Sequence, residues 1–230
     1  MNNPIRRKAL LALCLLIPAP TLGVLFGMIW FPDTPLGTGL FFFCKIWLLT
    51  LPLLWRLFVD KKRISLSPTR KDGWLAGIGT GLLIFGVILA FWFLLGPKLI
   101  NPEFVREKMT AVGLTSLPRY LGMIAYWILI NSLLEEYVWR WFVTEKFHTL
   151  FRHSWIAIVL SAAAFTLHHI IAMTTFFNGT VTALCALFIF IGGAIWSTLY
   201  LRYESIRPAY ISHVFADLAI FLIGGRILFS

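Results

Sequence analysis

The chain alternates long apolar runs with short stretches rich in Gly, Pro and charged residues. Runs of about 20 apolar residues, enough at about 1.5 Å rise per residue to cross a hydrocarbon core of about 30 Å, recur along its whole length. The pattern predicts seven helices at about 9–31, 37–58, 74–96, 118–147, 153–176, 180–202 and 207–228. Turn residues mark the breaks: Pro32, Asp33 and Pro35 after the first, Gly96 and Pro97 after the third, Asn178 and Gly179 between the fifth and sixth, and Arg207 with Pro208 opening the seventh. Between the third and fourth, Asn101 as N-cap, Pro102 at the first helical position and an apolar cluster of Phe104, Val105, Met109 and Val112 predict a short eighth helix lying in the membrane interface. The fold class expected is all-α, a multi-span transmembrane helical bundle forming one integral membrane domain over residues 1–230.

Composition agrees. Of 230 residues 59% are hydrophobic and 13% charged, with a mean hydropathy of +0.84, where a soluble domain has about 45–50% apolar residues. The basic N-terminal stretch before the first apolar run is like that of a signal peptide, but the run continues past Pro20 to Trp30, so a retained first span is expected. Cys14, Cys44 and Cys185 all fall in apolar helices and read as small core hydrophobes without disulfides.

Net charge is +10, and its placement is that of a membrane topology. With the N-terminus cytoplasmic, one side collects Arg6, Arg7, Lys8, Arg56, Lys61, Lys62, Arg63, Arg70, Lys71, Lys146, Arg152, Arg202 and Arg207, and the other Lys98, Arg106, Lys108, Arg119 and Arg226. The expected localisation is therefore the cell membrane, with the C-terminus external. Basic residues in short loops beside spans have anionic lipid headgroups as their nearest partner, which argues against nucleic acid. Gly73, Gly77 and Gly81 recur every fourth residue on the third span, where small residues let two helices approach closely.

Several ionisable residues lie within the spans: Lys45 on the second, Glu135, Glu136 and Arg140 on the fourth, His168 and His169 on the fifth, and His213 and Asp217 on the seventh. Each is costly in lipid unless paired or placed in a wet cavity, so such groups mark function by default. Glu136 and Arg140, four apart, can pair on one helix face, while Glu135, turned by about 100°, is left for another partner. His213 and Asp217 are also four apart. Either pair alone reads equally as interhelical glue; three helices each contributing carboxylate or imidazole suit a buried acid–base site better. Lys45, near no other charge in sequence, reads as snorkelling or pore lining. Depths measured from the boundary charges Glu145 and Lys146 put Glu135 at about 15 Å, whereas His169 lies about 24 Å from His153, so the two agree only if the fifth helix starts above the surface or tilts.

"EEYVWR" (135–140), "FTLHH" (165–169) and "HVFAD" (213–217) resemble, in order and on separate helices, the three motifs of the CPBP family of intramembrane endopeptidases, the CAAX-protease, bacteriocin-processing or Abi family. The resemblance covers a catalytic core of about 118–230. It implies a catalytic set of Glu135, His169, His213 and Asp217 with Glu136, Arg140 and Phe165 in support, and peptide-bond hydrolysis by water shared between Glu135 and His169. His168 is an extra neighbour and a competitor for the second-motif role. Asp217 stands where the family commonly has Asn, and an ionised Asp accepts hydrogen bonds without donating any. The implied substrate is a membrane-anchored peptide or protein. No cofactor is expected, although Glu135, His169 and His213 leave a zinc version open; no HExxH is present. The rival class is a non-enzymatic immunity or transport protein using the same groups as a proton relay or binding pocket.

Overall fold

The computed structural model describes residues 4–64, 73–111, 113–229. Arg70, Lys71 and Val112, used above for topology and for the interfacial helix, lie outside the described residues. Eight helices and no strands are present among the described residues: α1 Pro4–Trp30, α2 Pro35–Val59, α3 Gly73–Leu99, α4 Pro102–Ala111, α5 Leu117–Phe151, α6 Ser154–Met173, α7 Gly179–Tyr203 and α8 Ile206–Phe229. All except α4 are long and apolar enough to cross a membrane. The protein is thus a multi-pass membrane helical bundle.

Local chemistry places the helix starts. Thr34 accepts from the Gly37 amide at 3.1 Å with Pro35 at the first helical position, and Asn178 accepts from the Val181 amide at 3.0 Å. The Asn101 side chain accepts from the amides of Glu103 and Phe104 at 3.0 and 3.3 Å, starting α4 where expected. Several boundaries differ from expectation: α1 starts five residues earlier, at Pro4, α6 ends three earlier, at Met173, and α3 and α5 run on past their expected ends. Pro97 does not end α3, which runs on to Leu99, because a proline near a helix end costs little where the next turn is already fraying. α5 runs four residues beyond 147, to a left-handed Arg152 at φ 61° that caps it and turns the chain into α6.

That extension removes the conflict of depth between Glu135 and His169. Measured from the turn at 152–153, the two lie at nearly equal distances along α5 and α6, about 24 Å. The hairpin is in register on this basis: Thr144 bonds Ser161 at 2.8 Å, and the rings of Trp139 and Phe165 are 5.5 Å apart.

α5 is the central element. It packs against α1, α2, α6, α7 and α8 and carries the largest fully buried side chains, among them Trp139, Arg140 and Phe142. Large apolar side chains such as Phe43, Phe58, Leu75 and Leu94 face outward as the lipid-contacting belt. Four polar contacts join α5 to α2 in ascending order along both helices, which therefore run parallel. Lys45 bonds Asn131 at 3.2 Å, Tyr137 bonds the Leu49 carbonyl at 3.1 Å, Arg56 pairs with Glu145 at 2.9 Å, and Lys146 pairs with Asp60 at 2.5 Å. Glu145 and Lys146, read from the sequence as boundary charges, are interhelical partners. Of the cysteines, Cys44 is buried but Cys14 is exposed on the outer face of α1, so only the former is a core residue; all three are free.

Gly77 and Gly81 of α3 face α8. A Cβ at Gly77 would lie 2.7 Å from the Pro208 carbonyl oxygen, and one at Gly81 would lie 2.5 Å from the Phe215 ring. Backbone cannot yield as a ring can. Gly77→Ala should therefore lower the detergent melting temperature more than Gly81→Ala does, by scanning fluorimetry on the purified protein; equal shifts would contradict the close approach.

Candidate active site

Glu135 and Glu136 owe their different environments to the irregular winding of α5. Residues Tyr126–Asn131 and Tyr137–Thr144 are wound in wide, i→i+5 turns, with regular helix over Ser132–Glu136 between them. Each wide stretch is stitched by a hydroxyl five residues on: Ser132 donates to the Trp127 carbonyl at 2.9 Å and Thr144 to that of Trp139 at 2.8 Å. Such bulges re-aim side chains within a continuous helix, and they concentrate at functional sites.

The two glutamates diverge. Glu136 and Arg140 are both wholly buried and pair at 3.2 Å. The guanidinium lies against the rings of Phe165 and Trp196, 4.8 and 5.2 Å from their centroids. The other oxygen of Glu136 accepts from His213 Nδ1 at 2.9 Å. Glu136 thus holds a cation on its own helix and an imidazole on α8 at once. The Glu135 side chain, 20% exposed, faces a more open region. Its Oε1 accepts from Asn131 Nδ2 at 2.7 Å, and its Oε2 lies 3.7 Å from His213 Nε2.

His213 is clamped from several directions. Its ring stacks on Trp196 at 3.9 Å between centroids, and Trp196 is itself held by an indole N–H bond to Ser212 at 3.1 Å. Because the Glu136 carboxylate can only accept, Nδ1 carries a proton and Nε2 is the atom presented to the site. Asp217 approaches that atom at 3.7 Å, with its side chain 17% exposed. The other Asp217 oxygen meets Ser132 Oγ at 2.5 Å. Ser132 has one hydroxyl proton, shared between the Trp127 carbonyl and this contact.

The two histidines of α6 have separate surroundings. His169 Nδ1 lies 2.9 Å from the Phe165 carbonyl, an acceptor, so Nδ1 is the donor and Nε2 is left available. His169 is also within electrostatic reach of Asp217. His168 stacks flat on Trp139, with centroids 5.4 Å apart and planes 5° apart, and its Nδ1 is buried without a hydrogen-bond partner among the described residues. Phe165 lies between them and His213, with its ring 4.6 Å from His169 and 6.4 Å from His213. No hydrogen bond or ion pair joins Glu135 to His169 among the described residues. Nor do three His, Cys, Asp or Glu side chains there form a metal-holding group.

Every candidate named from the sequence therefore lies on α5, α6 or α8. Glu135, Glu136, Arg140, His213 and Asp217 are in one contact network, and Phe165 packs against it beside His169. Three participants were not anticipated. Asn131 and Ser132 sit one helical turn before the glutamates and bond Glu135 and Asp217; a polar pair in an apolar run was the available signal. Lys45 is the third: its ammonium donates to Asn131 Oδ1, so it does not snorkel.

Pairing of Glu136 with Arg140 has a measurable consequence. Removing one partner of a buried ion pair costs about 3–5 kcal/mol, whereas replacing both with apolar groups is often neutral. Glu136→Leu combined with Arg140→Met should restore the folded yield, by fluorescence size-exclusion, above that of either single variant.

Residues 117–219 match the family model described as Rce1-like, type II CAAX prenyl endopeptidase. The match begins at the first residue of α5 and ends two residues past Asp217, so it contains every candidate residue and leaves out α1–α4. No curated protein sequence and no solved structure gives a match. Across residues 117–219, the segment that builds this site, the chain is similar to the Rce1-like type II CAAX prenyl endopeptidase family.

Proposed function

We propose that this protein is an intramembrane endopeptidase that cleaves a membrane-anchored peptide or protein with water activated by Glu135 and His169. The observation that carries the reading is the contrast between adjacent carboxylates: Glu136 is sealed against Arg140 and His213, while Glu135 keeps an accessible oxygen beside His213 Nε2. A buried ion pair alone requires no second carboxylate at all. A base that works on water needs accessibility, and a carboxylate in a partly desolvated site is well suited to the task.

In this reaction the water oxygen attacks the scissile carbonyl carbon while its proton passes to Glu135, with His169 Nε2 holding the water. The carbonyl oxygen becomes an oxyanion beside His213 Nε2, which donates to it with the ring as imidazolium, protonated at both nitrogens. A donor aimed at such an oxygen contributes about 2.7–4 kcal/mol in well-studied sites. Collapse breaks the C–N bond, and the proton taken from water goes to the leaving nitrogen, giving a carboxylic acid and an amine, between which the acid's proton then passes to leave carboxylate and ammonium. Asp217 supports the step as a neutral donor or by orienting His213. The protein sits in the cell membrane with the N-terminus cytoplasmic and the C-terminus external, following its distribution of Lys and Arg.

Purified protein incubated with a peptide library and followed by mass spectrometry tests the activity; no cleavage of any member would favour the relay or binding-pocket class. Given cleavage, Glu135→Gln should abolish it while leaving membrane expression intact, because the amide keeps shape and loses the base. His169→Ala should remove activity and His168→Ala should spare most of it, since His168 is occupied by Trp139. The reverse result would move the second-motif role to His168.

Metal dependence is a separate test. The glutamate mechanism predicts activity that survives prolonged 1,10-phenanthroline and no stoichiometric zinc in metal analysis. Loss on chelation with recovery on adding zinc, at about one equivalent per chain, would replace it with a zinc mechanism on the same residues.

A further inference from the structure

We propose that Lys45 is a positioning residue for Glu135, acting through the side-chain amide of Asn131, so that α2 sets the orientation of the base. The inference rests on the proposed role of Glu135 and adds a component from outside the segment matched by the family model. An asparagine amide has an accepting end and a donating end, and by itself it can present either to a neighbour. An ammonium only donates. With Lys45 Nζ at 3.2 Å from Asn131 Oδ1, the accepting end is fixed toward α2. The donating Nδ2 is thereby fixed toward Glu135 Oε1, at 2.7 Å. That bond engages one carboxylate oxygen and leaves Oε2 as the one beside His213 Nε2.

The surroundings of Lys45 support this assignment. Its ammonium lies 5.6 Å from the Trp127 ring centroid, on the wide turn of α5 that also holds Asn131. The Tyr137 bond to the Leu49 carbonyl, one turn further along α2, fixes the spacing of the two helices beside it. Other charged or titratable groups near Glu135 are Glu136 and Arg140 on α5, His213 and Asp217 on α8 and His169 on α6. None of them has a hydrogen bond or ion pair with Asn131 among the described residues, so the amide's direction is set by Lys45 at its accepting end together with the acceptor-only Glu135 carboxylate at its donating end.

Two readouts test the proposal. With the library peptide that wild type cleaves fastest, Lys45→Met should lower kcat at least about tenfold and leave KM within about twofold, because it disturbs the base and not substrate binding. Lys45→Arg, still a donor-only cation, should recover most of the loss. A merely structural lysine would instead show lower yield with kcat per folded molecule unchanged. Independent of cleavage, dicyclohexylcarbodiimide adds to protonated carboxyl groups in apolar surroundings. Without the cation and the directed amide donor, Lys45→Met should carry at least about threefold more label at Glu135 than wild type at pH 7, by peptide mapping. Should Lys45→Met fail to fold, Lys45→Gln, whose amide can present either end, should show the same changes at reduced size. Equal labelling in wild type and variants, including none in any, overturns the proposal. If wild type cleaves nothing but labelling rises as expected, positioning of Glu135 by Lys45 holds and the peptidase reading fails.

Discussion

A full positive charge, Arg140, lies at the centre of a membrane bundle with no exposure at all, and much of the surrounding structure answers to that one constraint. A guanidinium removed from water must have its charge met nearby. Glu136, four residues back on the same helix, supplies the opposite charge, and Phe165 and Trp196 supply aromatic faces from α6 and α7. The same carboxylate then holds His213 on α8. Four helices are brought into contact around one ion pair, and the site residues occupy the places this leaves.

Winding of α5 is the second determinant. In a regular helix adjacent side chains point about 100° apart, which separates Glu135 from Glu136 but does not by itself give the former room. The wide turns on either side of Ser132–Glu136 shift the phase of what precedes and follows. Asn131 comes beneath Glu135, and the Thr144 hydroxyl reaches both Ser161 and Ser197 in the core. The polar side chains of α5 therefore serve two purposes: some stitch the helix to itself, and others join it to neighbours.

Hydrophobic run length was sufficient to find the seven long helices, because lipid requires about 20 residues of them and punishes alternatives. The motif residues were legible because charge in an apolar run is conspicuous. What escaped were features that depend on partners distant in sequence. Lys45 has no nearby charge in the chain, and its partner Asn131 is 86 positions away. Wide turns have no hydrophobic signature, and the hydroxyls at Ser132 and Thr144 that stitch them read only as small polar residues. Sequence likewise does not show that Arg56 and Asp60 lie opposite Glu145 and Lys146. Cys14, like any small apolar residue on a span, faces lipid or core according to a packing that its own neighbours do not determine.

The departure at Asp217 is connected to this arrangement. Asparagine at that position would offer an N–H donor as well as an acceptor. Aspartate offers a donor only when it carries a proton, and its Oδ2 meets a hydroxyl whose single proton is also directed to the Trp127 carbonyl. When the Ser132 proton is on the Trp127 side, the proton in the Ser132–Asp217 contact has to come from Asp217. The side chain then has, as asparagine does, one donating end and one accepting end, with Oδ1 toward His213. When the proton is on the Asp217 side, the carboxylate faces Nε2 of His213 as a charge and orients it as Glu136 does from Nδ1. Ser132, adjacent to Asn131 and one turn before Glu136, therefore couples the winding of α5 to the position where this chain has Asp217 and the family it resembles commonly has Asn.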